Sequence, residues 1–117
     1  MSYKELIVWQ KAMVLVEVIY RHVRSFPSSE RFRLCDQLSR AVVSVPSNIA
    51  EGYGRGLPAE YARFLGIARG SLYEVETQLE IAVRLGFVEK SQEADLLIEE
   101  IRAMLIAMIS KLKGGAK

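Results

Sequence analysis

The chain has 117 residues, half of them hydrophobic and 26% charged, with a formal net charge of +2. This fits one folded domain over residues 1–117 and excludes a disordered chain; a domain of this size buries roughly two-thirds of its unfolded surface without staples. No run of about 18 uncharged apolar residues could span a membrane, and Cys35, the single cysteine, has no partner for an internal disulfide, which points to a reducing compartment, the cytoplasm.

Leu6, Trp9, Met13, Val16, Tyr20 and Val23 recur at steps of three and four, and Val8, Ala12, Leu15 and Ile19 form a second seam beside them. Together they predict a helix from about Tyr3 to Ser25 that packs on more than one neighbour. Leu6 to Trp9 do not read as a secretory leader, because Gln10 and Lys11 interrupt them and no small-residue cleavage site follows. Pro27 ends this helix, since the residue before proline avoids helical angles.

Ser28 or Ser29 is expected to cap the second helix, with Glu30 in its first turn. Leu34, Leu38, Ala41, Val42, Val45 and Ile49 make its buried stripe. Pro46 removes one backbone hydrogen bond in mid-helix, so a kink near Val42–Pro46 is expected, with a break into two shorter helices as the alternative. Gly52, Gly54 and Gly56 stop the helix.

Pro58 suits the first position of the third helix. From there Tyr61, Leu65, Ala68, Leu72, Val75, Leu79 and Ala82 alternate steps of four and three without a fault. Gly86 is the expected C-terminal cap and Ser91 the N-cap of the fourth helix. In that helix Leu97, Ile101, Met104, Met108 and Leu112 are expected to face inward beside Leu105 and Ile109, with a frayed tail from Lys113 to Lys117. The connections are short, so the chain reads as all-α, an antiparallel up-down four-helix bundle.

Little in the sequence equips an enzyme. His22 is the only histidine; with Cys35 it could form a thiol–imidazole pair, but Cys35 lies against the stripe of Leu34 and Leu38 and reads as a buried structural thiol. One histidine and one cysteine do not make a zinc site, so no metal or cofactor is expected. The alternating Gly52, Gly54 and Gly56 follow a helix and no strand, unlike a nucleotide loop.

Three features ask for more than solubility. Ala62, Gly66 and Gly70 form a strip of small residues on the third helix, where each glycine costs about 1 kcal/mol against alanine; this implies close packing on a neighbouring helix or subunit. Arg40, Ser44, Ser47, Asn48 and Glu51 share one face of the second helix, and Glu51 is placed to pair with Arg55. Arg40, Arg55, Arg63 and Arg69, with Tyr53 and Tyr61 nearby, offer guanidinium forks for phosphates and rings for base stacking. Their competing partners are the carboxylates of Glu51, Glu74 and Glu76. Residues 1–69 hold ten Lys and Arg against six Asp and Glu, whereas residues 70–117 hold six against eight. The N-terminal bias permits nucleic-acid contact without requiring it.

The run QLSRAVVSVPSNIAEGYGR from Gln37 to Arg55 resembles the signature of the four-helix-bundle proteins of the 23S rRNA intervening-sequence family. So does FLGIARGSLYEVETQL from Phe64 to Leu79. VWQKAM from Val8 to Met13 and the Phe26-Pro27 turn are also similar, so the likeness covers nearly the whole chain. One departure is Leu57, where a polar helix cap is common. The resemblance implies an antiparallel bundle assembling into a ring-shaped homopentamer, in bacterial proteins some of which are encoded within 23S rRNA gene insertions. The accessory proteins of diversity-generating retroelements, which work with a reverse transcriptase and nucleic acid, are distantly similar. The resemblance implies no catalytic residue. The expected function is that of a non-catalytic oligomeric module that binds RNA or a ribonucleoprotein, or works with a nucleic-acid-processing protein. The alternative is a protein-interaction scaffold whose arginines pair internally.

Overall fold

A computed structural model describes residues 1–114. Among them are four α-helices and no strand: α1 (Ile7–Val23), α2 (Leu34–Arg55), α3 (Pro58–Arg84) and α4 (Gln92–Leu112). They bury one shared core in a body of 46 × 24 × 20 Å. The long dimension matches α3, whose 27 residues span about 40 Å at 1.5 Å per residue.

The first helix begins later than its periodicity predicts. Tyr3–Glu5 form a separate 3-10 turn, with the Lys4 N–H donating to Ser2 Oγ at 3.1 Å. Leu6 is then extended and α1 starts at Ile7. Gln10 Nε2 donates to the Lys4 carbonyl at 2.9 Å, so that carbonyl finds a donor without a continuous helix. The two seams also exchange places. Val8, Ala12, Leu15, Val18 and Ile19 are buried, whereas Met13 and Tyr20 of the longer seam stay exposed and Leu6, Trp9, Val16 and Val23 pack at the core's edge.

Neither Ser28 nor Ser29 caps α2. Ser28–Glu30 make another 3-10 turn, and α2 starts four residues later with no side-chain cap. The stretch before Leu34 has no core-facing residue, Phe32 being exposed, so nothing repays helix formation until Leu34 and Leu38 reach the core. The corner is fixed from the other side: Phe26 packs on Phe87 with ring centroids 5.7 Å apart, and Ser25 Oγ donates to the carbonyl of Phe87 at 3.0 Å.

From Leu34, α2 runs unbroken through the buried Pro46 to Gly56, whose φ of +79° ends it. The alternative of two shorter helices does not hold. Pro58 opens α3 although Leu57 offers no polar cap, because the proline has no N–H to satisfy at that position. Every residue of the α3 seam from Leu65 to Ala82 is buried, with Tyr61 half-buried. Gly86, also at φ +79°, closes α3: its N–H donates to Val83 O and that of Phe87 to Ala82 O at 2.9 Å. Ser91 Oγ accepts from the Ala94 N–H and caps α4. The buried seam of α4 is Ala94, Ile98, Ile101, Leu105 and Ile109, while Leu97, Met104, Met108 and Leu112 flank it. The inward face is thus centred one residue from the expected one. Lys113 and Gly114 close α4 through bonds to the Ile109 and Lys111 carbonyls; the rest of the expected frayed tail, 115–117, lies outside the described residues. No helix among the described residues is long and apolar enough to cross a membrane.

Candidate nucleic-acid interface

Gly52 lets α2 and α3 meet closely near their shared turn. A Cβ at Gly52 would stand 2.8 Å from Phe64 Cβ, closer than packed side chains approach, and a tight 3.1 Å from Tyr61 Cδ1. This approach seats Tyr61 and Phe64 against the last turns of α2. Four of the six arginine and tyrosine candidates gather there. The guanidinium carbons of Arg55 and Arg63 lie 4.8 and 4.5 Å from the centroid of the Phe64 ring, within cation–π range. Tyr53 and Tyr61 meet edge to face with centroids 6.0 Å apart, and the Tyr53 hydroxyl donates to the Met1 carbonyl at 2.7 Å. Burial, with Tyr53 adding to it, pushes the Tyr61 phenol above its ordinary pKa. Both tyrosines are half-buried and serve as packing; the exposed chemistry of the cluster belongs to the arginines.

Each of these arginines also holds a carboxylate. Arg55 reaches Glu51 at 3.0 Å, the pairing that i,i+4 spacing predicts, and Arg63 reaches Glu60 at 3.3 Å. The hydrogen bond from Arg63, then its charge, holds Glu60 below the usual carboxylate range. Exposed pairs of this kind are weak and screened by solvent, so an incoming phosphate can displace the glutamates and take a bidentate grip. Two guanidinium groups within cation–π range of one ring are chemically suited to contact an anion.

Of the remaining arginines, Arg40 lies apart and Arg69 shares a groove with Arg63. Arg40, fifteen positions before Arg55 and hence about 22 Å away along α2, pairs with Asp36 at 3.0 Å. Arg69 lines a groove of about 670 Å³ between α3 and α4 with Ala62, Arg63, Gly66, Ile109, Leu112 and Lys113. Within the strip of small residues Ala62 is buried, but the close packing expected of the two glycines is absent: a Cβ on Gly66 or Gly70 would meet nothing within 4 Å. The tight helix approach lies at Gly52 instead.

A family model described as 23S rRNA-intervening sequence protein matches residues 4–107. The chain belongs to this family. The match takes in α1, α2, α3 and most of α4. A comparison with curated proteins found no match.

In this member of the 23S rRNA-intervening sequence protein family, the polar face of α2 divides. Ser44 bonds across to α3, where Ser71 Oγ donates to Ser44 Oγ at 2.8 Å, and Asn48 bonds back within α2, its Nδ2 donating to Ser44 Oγ at 2.9 Å and to the Ser44 carbonyl at 2.8 Å. Ser47 and Glu51 face solvent. Ser71 is the buried polar residue of the core at 8% exposure, and neither it nor Phe64 stands out in the sequence. A serine three residues after Ala68 and four before Val75, and so beside the apolar seam, is the one signal that could have marked Ser71. Of the other carboxylates, Glu76 pairs with Arg102 at 2.8 Å, while Glu74 is exposed with no ion pair among the described residues.

Cys35 is half-buried, with Sγ 4.0 Å from the Val23 carbonyl. Burial and then Glu30 raise its pKa, with Arg31 opposing, which favours the thiol over the thiolate. Among the described residues no group of three or more His, Cys, Asp or Glu is placed to hold a metal ion.

Proposed function

We propose that this protein is a non-catalytic, cytoplasmic helical-bundle module that assembles with copies of itself and binds RNA or an RNA-containing complex. The observation that carries the reading is the pair of guanidinium groups, Arg55 and Arg63, held over Phe64 at the α2–α3 turn. Multivalency makes such a small site sufficient: several weak phosphate contacts, one set per copy, add in one assembly. The family's description, which ties it to intervening sequences of 23S rRNA, supports RNA as the anion. In this reading the helices alternate in direction, α2 bends at Pro46 where proline withholds a donor from the Val42 carbonyl, and the ring is the pentamer implied by the family resemblance.

The groove between α3 and α4 supports the second reading, a scaffold that recruits a protein partner, because its floor is apolar. Titration with structured RNA across a salt series separates the two. Binding at low salt that weakens as salt rises is expected. No binding at low salt, or binding indifferent to salt, would overturn the RNA reading. A protein partner retained after nuclease treatment would favour the scaffold.

A further inference from the structure

Phe32, at 84%, is the most exposed large apolar side chain of the described residues. It sits between α1 and α2, flanked by Arg31 and Arg33. Both are exposed, and neither forms an ion pair among the described residues. Arg24, at the end of α1, is a third such arginine. Between residues 24 and 33 the only opposing charge is Glu30.

The segment is held by its backbone. The Glu30 N–H donates to Pro27 O at 2.9 Å, Arg31 to Ser28 O at 3.2 Å, Arg33 to Glu30 O at 3.0 Å, and Gln37 to Arg33 O at 3.0 Å. The ring is therefore displayed from a hydrogen-bonded turn, which lowers the ordering cost of any contact it makes. A phenyl face in water, bracketed by cations that form no ion pair among the described residues, matches an unstacked base between two phosphates. A lipid surface fits less well, because Phe32 is a single apolar wedge. An apolar protein pocket would have to bury the flanking charges at a desolvation cost.

We propose that Arg31, Phe32 and Arg33 form a stacking contact for single-stranded RNA, with the ring against one unpaired base and the guanidinium groups on the flanking phosphates. A duplex hides its base faces, so the contact selects unpaired strand. The inference rests on the RNA reading above and adds the state of the strand and a second point of contact. It lies at the opposite end of α2 from the Arg55–Arg63 pair, about 33 Å away for a helix of 22 residues.

The test compares the full chain with Phe32→Ala, Phe32→Trp and Arg31→Gln/Arg33→Gln on a labelled oligouridylate and on an RNA duplex of equal length. Phe32→Ala should lose about tenfold in affinity for the single strand, with the duplex affinity unchanged. Phe32→Trp should restore binding and show emission quenching beyond that of Trp9. The double arginine variant should flatten the salt dependence by about 0.7 for each phosphate no longer gripped. Circular dichroism should show each variant folded, since none of the three side chains is buried. If the parent binds RNA and Phe32→Ala binds the single strand equally well, this contact is overturned while RNA binding stands. If the parent binds no RNA, both fall. A smaller assembly for Phe32→Ala in light scattering would assign the ring to a contact between copies instead, and loss of binding to anionic vesicles would assign it to a membrane.

Discussion

The Cβ of Phe64 lies 2.8 Å from where a Cβ on Gly52 would be. This one contact sets the spacing of α2 and α3 at the end that carries the arginine pair. Gly52→Ala forces the helices apart there. Overpacking of this kind costs about 1–3 kcal/mol, against which the better helix propensity of alanine returns about 1. The variant should be less stable in urea, by up to about 2 kcal/mol, and should bind RNA more weakly because Phe64 moves. Gly70→Ala is the control: its Cβ meets nothing, so it should be neutral or slightly stabilising. Equal effects of the two substitutions would mean that the close approach does not constrain the bundle.

Glu60 competes with RNA for Arg63 in the proposed function, so Glu60→Gln should tighten RNA binding and steepen its salt dependence, while Arg63→Ala should weaken it. The pair has a pH signature as well. The folded-state pKa of Glu60 lies below its unfolded value, so the increment it adds to stability is present above the ordinary carboxylate pKa of about 4. It fades as pH falls through the lower, folded value. Chemical denaturation from pH 6 to pH 3 should show this loss in the parent and a shallower one in Glu60→Gln. A Glu60→Gln variant that binds RNA no better than the parent would place Arg63 outside the interface.

Cys35 should react slowly. Burial and Glu30 raise its pKa, so at pH 7.5 its alkylation by iodoacetamide should be slower than that of a free cysteine, and should rise steeply in urea. Fast labelling of the folded protein would reopen a thiol role beside His22.

Local chemistry made much of this fold legible. Gly56, Pro58, Gly86 and Ser91 act at their own positions, and each ends or begins a helix where its chemistry requires. The face of α3 was readable for a related reason, since it has one unbroken seam. In α1 two adjacent seams are equally periodic, and periodicity does not say which faces inward; only packing chose Val8, Ala12, Leu15 and Ile19. The same ambiguity shifted α4 onto Ile98. At the candidate site, the Arg55–Glu51 pair follows from spacing along one helix, whereas Phe64 as its floor depends on two helices meeting at Gly52. Along the chain, Gly52 is only one of three glycines at a helix end.

The strip of Ala62, Gly66 and Gly70 has a clean test at Gly66, where the chain leaves the Cβ position open. Gly66 borders the groove between α3 and α4, where nothing approaches its Cβ position within 4 Å. Gly66→Leu should therefore fold as the parent does, with helical content unchanged and an intrinsic helix gain of about 1 kcal/mol. If a second copy seats in this groove, as the proposed assembly requires of some apolar surface, the leucine fills the space the partner needs. The mass by light scattering should then fall while circular dichroism keeps its helical signal. A full-size assembly from Gly66→Leu would remove the strip from the interface and turn the search to other exposed apolar side chains, Met13 and Tyr20 of α1 among them.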